Sequence, residues 1–438
     1  MSGGILQLVS YGSADIHLTG NPEITYWRQV VRRYTNFAVE SVLQTFHSTA
    51  DFNRKASVTL SRTGDLVHRI ILEVTLPVIN RSLPNAYTSQ NRTYYWVNKI
   101  GIALIKVCEL EIGGSRIDRH TSEWIDIVTS LMRKSDQDPA FNRMIGNLPR
   151  EQRRADQPMT LYIPLQFFFN AHHSQALPLV SIAFHDVRLN FEFRALNELL
   201  EYPTNPYLAT LDPNAFNYAS QVATLTAQYN QEVTVPESSS TAMDCKLYAD
   251  IIYCEPEERR RFAKKEQEML VQVVQFLGDE VVTQDEASSG IVIRKTNLNF
   301  VHPVKELLWV FHSDDNLASK QYFTYSDVFE EVSLLFNGQP RFTPRKGSYF
   351  SRVQPWQHHT TCTDNPIHCF SFSLRPEEPQ PSGSMNFSRI DQAHLLTRIK
   401  LPAAASGNGY SNGRLKCFAL SYNLLRIKSG LAGLAYSS

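Results

Sequence analysis

The sequence predicts an all-β chain made of two similar antiparallel sandwiches in tandem. Landmarks recur at a nearly constant spacing: the Phe-Ala pair at Phe37 returns at Phe262, and Gly114 returns as Gly338. Short runs that alternate apolar and polar residues are separated by turn signals, and few helical patterns stand between them. Because parallel strands need crossover connections, this combination favours antiparallel sheets.

The strands are predicted from period-2 alternation. The clearest half-buried strand runs from Val187 to Phe193, and a second runs from Ile70 to Leu76 before Pro77. The sequence of the second half predicts five further strands, at Ile291, Leu307 to Phe311, Val332 to Phe336, Phe370 to Leu374 and Leu395 to Leu401. Gly114 and Gly338 stand in Gly-Gly and Asn-Gly pairs, which favour tight hairpin turns.

Helices are expected only in connections. Trp124, Ile125, Val128, Leu131 and Met132 share one helical face, which Thr121 or Ser122 can cap. A shorter helix is predicted over Trp27, Val30, Val31 and Tyr34, after Asn21-Pro22.

The predicted organisation has three parts. Residues 1–26 form an N-terminal arm, residues 27–255 the first sandwich, and residues 256–438 the second. Pro- and Ser-rich residues 197–244 are interpreted as a long surface excursion of the first sandwich. A charged turn near Glu255 to Glu266 is expected to join the halves, with Phe37 and Phe262 in equivalent places.

Composition narrows the class of protein. The 43 basic and 43 acidic residues balance, which does not indicate a surface for direct nucleic-acid binding. No run of apolar residues is long enough for a transmembrane helix, and the N-terminus lacks the pattern of a signal peptide. Six scattered cysteines favour reduced thiols in a cytosol-like compartment.

Several segments resemble the major capsid proteins of nucleocytoplasmic large DNA viruses, and the algal-virus branch above all. They are HLTGNPEITYWRQVVRRYTNFAVES from His17, NFVHP from Asn299, RKGSYFSRVQP from Arg345, PEEPQPSGSMNFSRID from Pro376 and YNLLRIKSGLAGLAY from Tyr422. They follow one another in order over nearly the whole chain. The resemblance implies a double jelly roll of two eight-stranded sandwiches with short helices in loops, and no enzymatic activity.

The resemblance also implies partners and a location. Three copies would form a pseudo-hexagonal capsomer that contacts neighbouring capsomers in an icosahedral shell of the virion, assembled in the host cytoplasm. Minor capsid proteins and an inner membrane would lie beneath the shell. Asn80, Asn91 and Asn386 fit the N-glycosylation pattern, although secretory glycosylation needs a signal peptide. The alternative function is a jelly-roll carbohydrate-binding protein or a metal-dependent oxygenase.

Two histidine motifs are candidates for metal sites. The segment HHTTCTDNPIHC places His358, His359, Cys362, His368 and Cys369 close in sequence, but its C-x6-C spacing is unlike a zinc knuckle. We expect mutation of the first three to change neither metal content nor assembly.

The second motif, His312-Ser313-Asp314, has the H-x-D spacing of iron oxygenases, with His368 or His394 as a distal ligand. One such match is expected by chance. The sequence therefore predicts no catalytic, cofactor or metal residues.

Overall fold

The computed structural model describes residues 3–23, 26, 33–79, 94–134, 137–201, 242–283, 290–403 and 410–436. The chain divides into two compact units, Met1–Phe37 and Ala38–Ser438. The described part of the first unit contains the helices Gly3–Val9 and Ile16–Thr19, whose apolar side chains are exposed. The helix predicted over Trp27 to Val31 lies outside the described residues, as does most of the 197–244 excursion.

The first half of the larger unit contains one five-stranded and one four-stranded sheet. One sheet has the order β1–β11–β3–β7, formed by β1 (Phe37–Gln44), β11 (Asp244–Cys254), β3 (Leu66–Leu76) and β7 (Met159–Pro164), with β8 (Leu177–Pro178) added to β3. The other has the order β2–β9–β5–β6, formed by β2 (Lys55–Thr59), β9 (Val187–Phe193), β5 (Ile105–Ile112) and β6 (Ser115–Thr121). A separate pair joins β4 (Tyr95–Trp96) to β10 (Leu200–Glu201).

The second half repeats this arrangement. Its first sheet has the order β12–β21–β14–β18, formed by β12 (Gln267–Val282), β21 (Gly413–Lys428), β14 (Pro303–Ser313) and β18 (His368–Ser371), with β19 (Met385–Asn386) on β14 and β22 (Leu431–Leu434) on β21. Its second sheet has the order β13–β20–β15–β16, formed by β13 (Ile291–Asn297), β20 (Ala393–Lys400), β15 (Phe329–Phe336) and β16 (Gln339–Pro340), with β17 (Arg345–Lys346) on β15.

The two halves have one topology. In each half, the first strand (β1 or β12) lies at the edge of one sheet, beside β11 or β21. The second strand (β2 or β13) lies at the edge of the opposite sheet, beside β9 or β20. The first three strands of each jelly roll therefore lie alternately in the two sheets, and two late strands return beside the first two, as in a jelly roll. The chain is a double jelly roll, which confirms the predicted fold class.

The equivalent hairpins confirm the duplication. Gly113-Gly114 connects β5 to β6, and Asn337-Gly338 connects β15 to β16. All four residues have positive φ, between 49° and 82°. Turns of this handedness match the twist of the flanking strands, which explains why Gly and Asn occur at these positions.

Short helices lie in the connections, as predicted. Among the described residues of the larger unit, the α-helices are Ile100–Leu104, Ser122–Met132, Asp138–Ile145, Phe168–Ala171, Leu196–Leu199, Pro256–Lys264, Asp314–Ala318 and Gln354–His358. Thr121 caps the second of these by accepting a hydrogen bond from the Trp124 amide at 3.4 Å.

Two local predictions were wrong. The segment that contains Phe262 is a helix, Pro256–Lys264, rather than a charged turn, whereas Phe37 begins a strand. Pro256 at the first helical turn, acidic residues after it and basic residues at the end favour this helix.

Candidate functional site

The central strands β14 and β21 are buried on both faces. Alternate residues of the two strands point into the core of the second sandwich: Leu307, Trp309, Phe311, Leu415, Cys417 and Ala419. The residues between them belong to a separate core that the first half completes: Leu308, Val310, Phe418 and Leu420. Double-sided burial explains why β14 reads as one continuous apolar run rather than an alternating strand.

The helix Ser122–Met132 of the first half covers this outer face. Four of its side chains complete the shared core: Trp124, Ile127, Val128 and Leu131. The rings of Trp124 and Phe418 lie 5.7 Å apart, and Phe276 stacks on Phe418 at 4.7 Å. Burial of each large apolar side chain contributes about 1.5–3 kcal/mol, so this contact joins the two sandwiches firmly.

A charged network lies at the same junction. Glu123 Oε1 of the helix accepts a hydrogen bond from Lys416 Nζ of β21 at 2.8 Å, and Arg194 Nη2 lies 3.9 Å from the same oxygen. Burial alone would raise the pKa of Glu123, but the Lys416 ammonium and the Arg194 guanidinium lower it to about 2. Glu123 is therefore ionised at neutral pH and depends on both cations.

Two further carboxylates connect the halves. Asp126 Oδ1 accepts a hydrogen bond from Lys99 Nζ at 2.5 Å, and its Oδ2 accepts one from the Tyr325 hydroxyl at 3.1 Å. Asp118 Oδ1 accepts one from the Val274 amide of β12 at 3.1 Å. Each carboxylate belongs to the first half and bonds a residue of the second, so the junction is specified by polar as well as apolar contacts.

A second polar cluster lies at the edge of this junction face. Glu306 of β14, Cys369 of β18 and His359 bring one donor atom each within 4.8 Å of one another. His359 Nε2 lies 2.6 Å from Glu306 Oε1, and its Nδ1 lies 3.1 Å from Glu377 Oε1. Burial would lower the pKa of His359, but the Glu306 carboxylate raises it well above the ordinary value. Burial also raises the pKa of the Cys369 thiol, to about 12.

The structure separates the other residues of that histidine motif. Cys362 is exposed, and its thiol faces the Arg352 carbonyl at 3.8 Å. His358 Nδ1 lies 3.3 Å from the Leu374 carbonyl. His368 is buried and stacks on Trp309 with 6.0 Å between ring centroids. Sequence reasoning grouped these residues by proximity along the chain and missed Glu306, which strand pairing places beside Cys369.

The H-x-D motif does not converge on a shared ligand position. Among the described residues, the converging His, Cys and carboxylate donors are those of Glu306, His359 and Cys369 alone. His312 is buried with its ring 5.0 Å from that of Tyr325, whereas Asp314 lies 3.5 Å from Arg414 in an ion pair.

The predicted glycosylation sites have different outcomes. Asn80 and Asn91 lie outside the described residues. Asn386 is exposed in β19, and its side-chain oxygen accepts a hydrogen bond from the Ser388 amide at 3.0 Å. Modification at Asn386 stays a prediction.

Several large apolar side chains are exposed on the larger unit. Trp356 and Leu374 are each 76% exposed, and Val353 lies one helical turn before Trp356. We call Val353, Trp356 and Leu374 the Trp356 patch; the contact between His358 and the Leu374 carbonyl ties its two segments together. Within the described part of the chain, no helix combines the length and apolar character that crossing a membrane requires.

Comparison with known proteins identifies the class first. The fold is similar to that of a chain of the PBCV-1 virus capsid, with a TM-score of 0.75, 29% identity, and coverage of 94% of this chain and 100% of that one. The Faustovirus major capsid protein, at 13% identity and a TM-score of 0.69, shares the fold over 95% of this chain and 94% of its own. The fold is that of capsid proteins.

Sequence models then identify the family. The model of the major capsid protein N-terminus matches residues 25–255, and that of the large eukaryotic DNA virus major capsid protein matches residues 258–433. The chain belongs to this family of major capsid proteins. It is 35% identical to the major capsid protein of Pyramimonas orientalis virus and 34% identical to that of Paramecium bursaria Chlorella virus 1, over the full length of each chain. The chain is therefore a structural component of an icosahedral virion shell rather than an enzyme.

Proposed function

We propose that the chain acts as a homotrimer, with three copies forming one pseudo-hexagonal capsomer. The observation that carries this proposal is the repeated topology of two sandwiches joined by a buried junction. Three copies around a threefold axis present six similar lobes, which suits a hexagonal lattice position. Cyclic closure also satisfies every copy of a heterologous interface.

The surface of the larger unit supports self-association. The Trp356 patch exposes aromatic and aliphatic area, which is enriched at interface centres. The zero net charge offers little long-range repulsion between copies. We propose that the Trp356 patch is a contact between copies, either within a capsomer or between neighbouring capsomers.

Light scattering on the purified protein tests the oligomer. The monomer mass is 50.0 kDa, so a trimer is expected near three times that value. Trp356→Ser should raise the protein concentration at which the trimer, or its further association, forms. The control is Gln357→Ser, which changes the adjacent exposed residue and should leave that concentration unaltered. A species that stays at 50.0 kDa at every concentration contradicts the trimer.

The organisation of the chain is part of the same proposal: an arm over 1–26, a first jelly roll over 27–255 and a second over 256–438. The strand sets β1–β11 and β12–β22 fall on either side of this boundary, which supports it. Limited proteolysis checks it, with early cleavage expected in the arm and in the 197–244 excursion rather than within either strand set.

We further propose that the assembled shell lies over minor capsid proteins and an inner membrane. We also propose that the chain itself binds no nucleic acid directly. Assembly, in a third proposal, takes place in the host cytoplasm. Family membership supports this setting. Electron cryomicroscopy of intact virions tests the first two statements, because density for other proteins should contact the inner side of the shell. Imaging of infected cells tests the third.

A further inference from the structure

The cluster around His359 has the arrangement of a metal site. Glu306 and Cys369 lie on adjacent strands, where Glu306 pairs with Ser371 and Leu308 with Cys369. Glu306 and Cys369 are therefore diagonal neighbours on one face of the sheet. His359 follows the helix Gln354–His358 and brings its imidazole to the same point.

Ion pairing alone leaves part of the cluster unexplained. Glu306 Oε1 and Glu377 Oε1 flank the two imidazole nitrogens, but Glu306 Oε2 is buried and has no hydrogen-bond partner among the described residues. Both Glu306 and Cys369 are 0% exposed. Burying a carboxylate oxygen without a hydrogen-bond partner costs free energy. That cost is removed if one further group binds both this carboxylate and the neighbouring thiol.

The second layer of contacts is that of a metal-binding histidine. Glu377 Oε1 accepts a hydrogen bond from His359 Nδ1 at 3.1 Å, and the Thr360 amide donates a hydrogen bond to the same oxygen at 2.7 Å. A carboxylate that fixes one imidazole nitrogen leaves the other nitrogen aimed at the ligand position. Nε2 faces Glu306, on the side where Cys369 also lies.

We propose that Glu306, His359 Nε2 and Cys369 Sγ bind one divalent ion of the zinc class, with Glu377 orienting His359 from behind. This replaces the expectation from the sequence that changes at His359 leave the metal content unaltered. Mixed nitrogen, sulfur and carboxylate ligands suit Zn²⁺.

Binding of the ion displaces two protons, one from His359 Nε2 and one from the Cys369 thiol. When the ion replaces the Nε2 and thiol protons, its two positive charges balance the two lost protons, so the net charge of the buried cluster does not change.

The bound ion would fix three segments of the second jelly roll together. It would join β14, β18 and the segment after the helix that carries the Trp356 patch. The role is structural, and it holds whatever the oligomeric state of the chain.

Metal content of the intact protein tests the proposal. After incubation with Zn²⁺ and dialysis, about one equivalent should remain, and Co²⁺ should give a thiolate-to-metal charge-transfer absorption. Cys369→Ser should abolish that absorption and weaken Zn²⁺ binding at least tenfold. The matched control is Cys417→Ser, which removes another buried thiol of the same sandwich and should keep both signals.

Glu377→Gln separates orientation from ligation: the charge-transfer absorption should persist while Zn²⁺ affinity falls about 10–100-fold. If Cys369→Ser does not fold, the wild-type measurements still decide. Substoichiometric Zn²⁺ in folded wild-type protein, together with no Co²⁺–thiolate absorption, overturns the proposal.

Discussion

His312 should make the junction sensitive to acid. It is 0% exposed in β14, and neither ring nitrogen has a well-directed hydrogen-bond partner among the described residues. Burial, assisted by the Lys416 ammonium, lowers the pKa of His312 to about 4, against a partial opposing effect of Glu123. His312 is therefore neutral in the folded chain at neutral pH.

The sign of the effect follows from linkage. The unfolded chain binds the His312 proton near pH 6.5, while the folded chain binds it only near pH 4. The stability contributed by the neutral imidazole is complete above pH 6.5 and is lost as pH falls toward 4. Each pH unit is equivalent to about 1.4 kcal/mol, so the loss at pH 4 is about 3 kcal/mol. Glu123 does not mask this change, because its pKa is about 2.

His312→Phe keeps a planar ring at the position and removes the titration. Urea unfolding, followed by tryptophan fluorescence from pH 8 to pH 4 at constant protein concentration, should show the variant gaining stability over wild type as pH falls below 6.5. The exposed His173→Phe variant is the control and should follow wild type. Equal pH dependence of His312→Phe and wild type would refute the reasoning.

Two further predictions concern the junction and the duplicated hairpins. Lys416→Met leaves Glu123 buried beside Arg194 alone and should lower the free energy of unfolding in urea by about 3–5 kcal/mol. The control is Arg426→Met, on the same strand as Lys416. It breaks an exposed ion pair with Glu268 and should cost less than about 1 kcal/mol. Gly114→Ala and Gly338→Ala should each cost about 1–2 kcal/mol, because both residues have φ near 80° and neither has a neighbour that a methyl group would meet. A large difference between the two glycine variants would argue against equivalent turns.

Local patterns predicted the elements that have a clear periodicity. The alternation from Val187 to Phe193 gives β9 at its observed bounds, and the apolar face around Trp124 gives the helix Ser122–Met132. Tertiary contacts decided the rest. Glu123 and Lys416 are 293 positions apart, so no local pattern pairs them. Glu306 lies in a strand buried on both faces, where alternation gives no signal.

The doubly buried strands also explain where the polar clusters lie. In β14, the face toward the first half carries Leu308 and Val310 at its centre, with Glu306 before them and His312 after them. Two apolar residues of this strand therefore contribute to the contact, and buried ionisable groups lie on either side of them. Since an unpaired buried polar group is costly, such ends restrict the ways in which the helix Ser122–Met132 can lie on the sheet. The apolar contact supplies stability, and its polar ends favour one relative placement of the two jelly rolls.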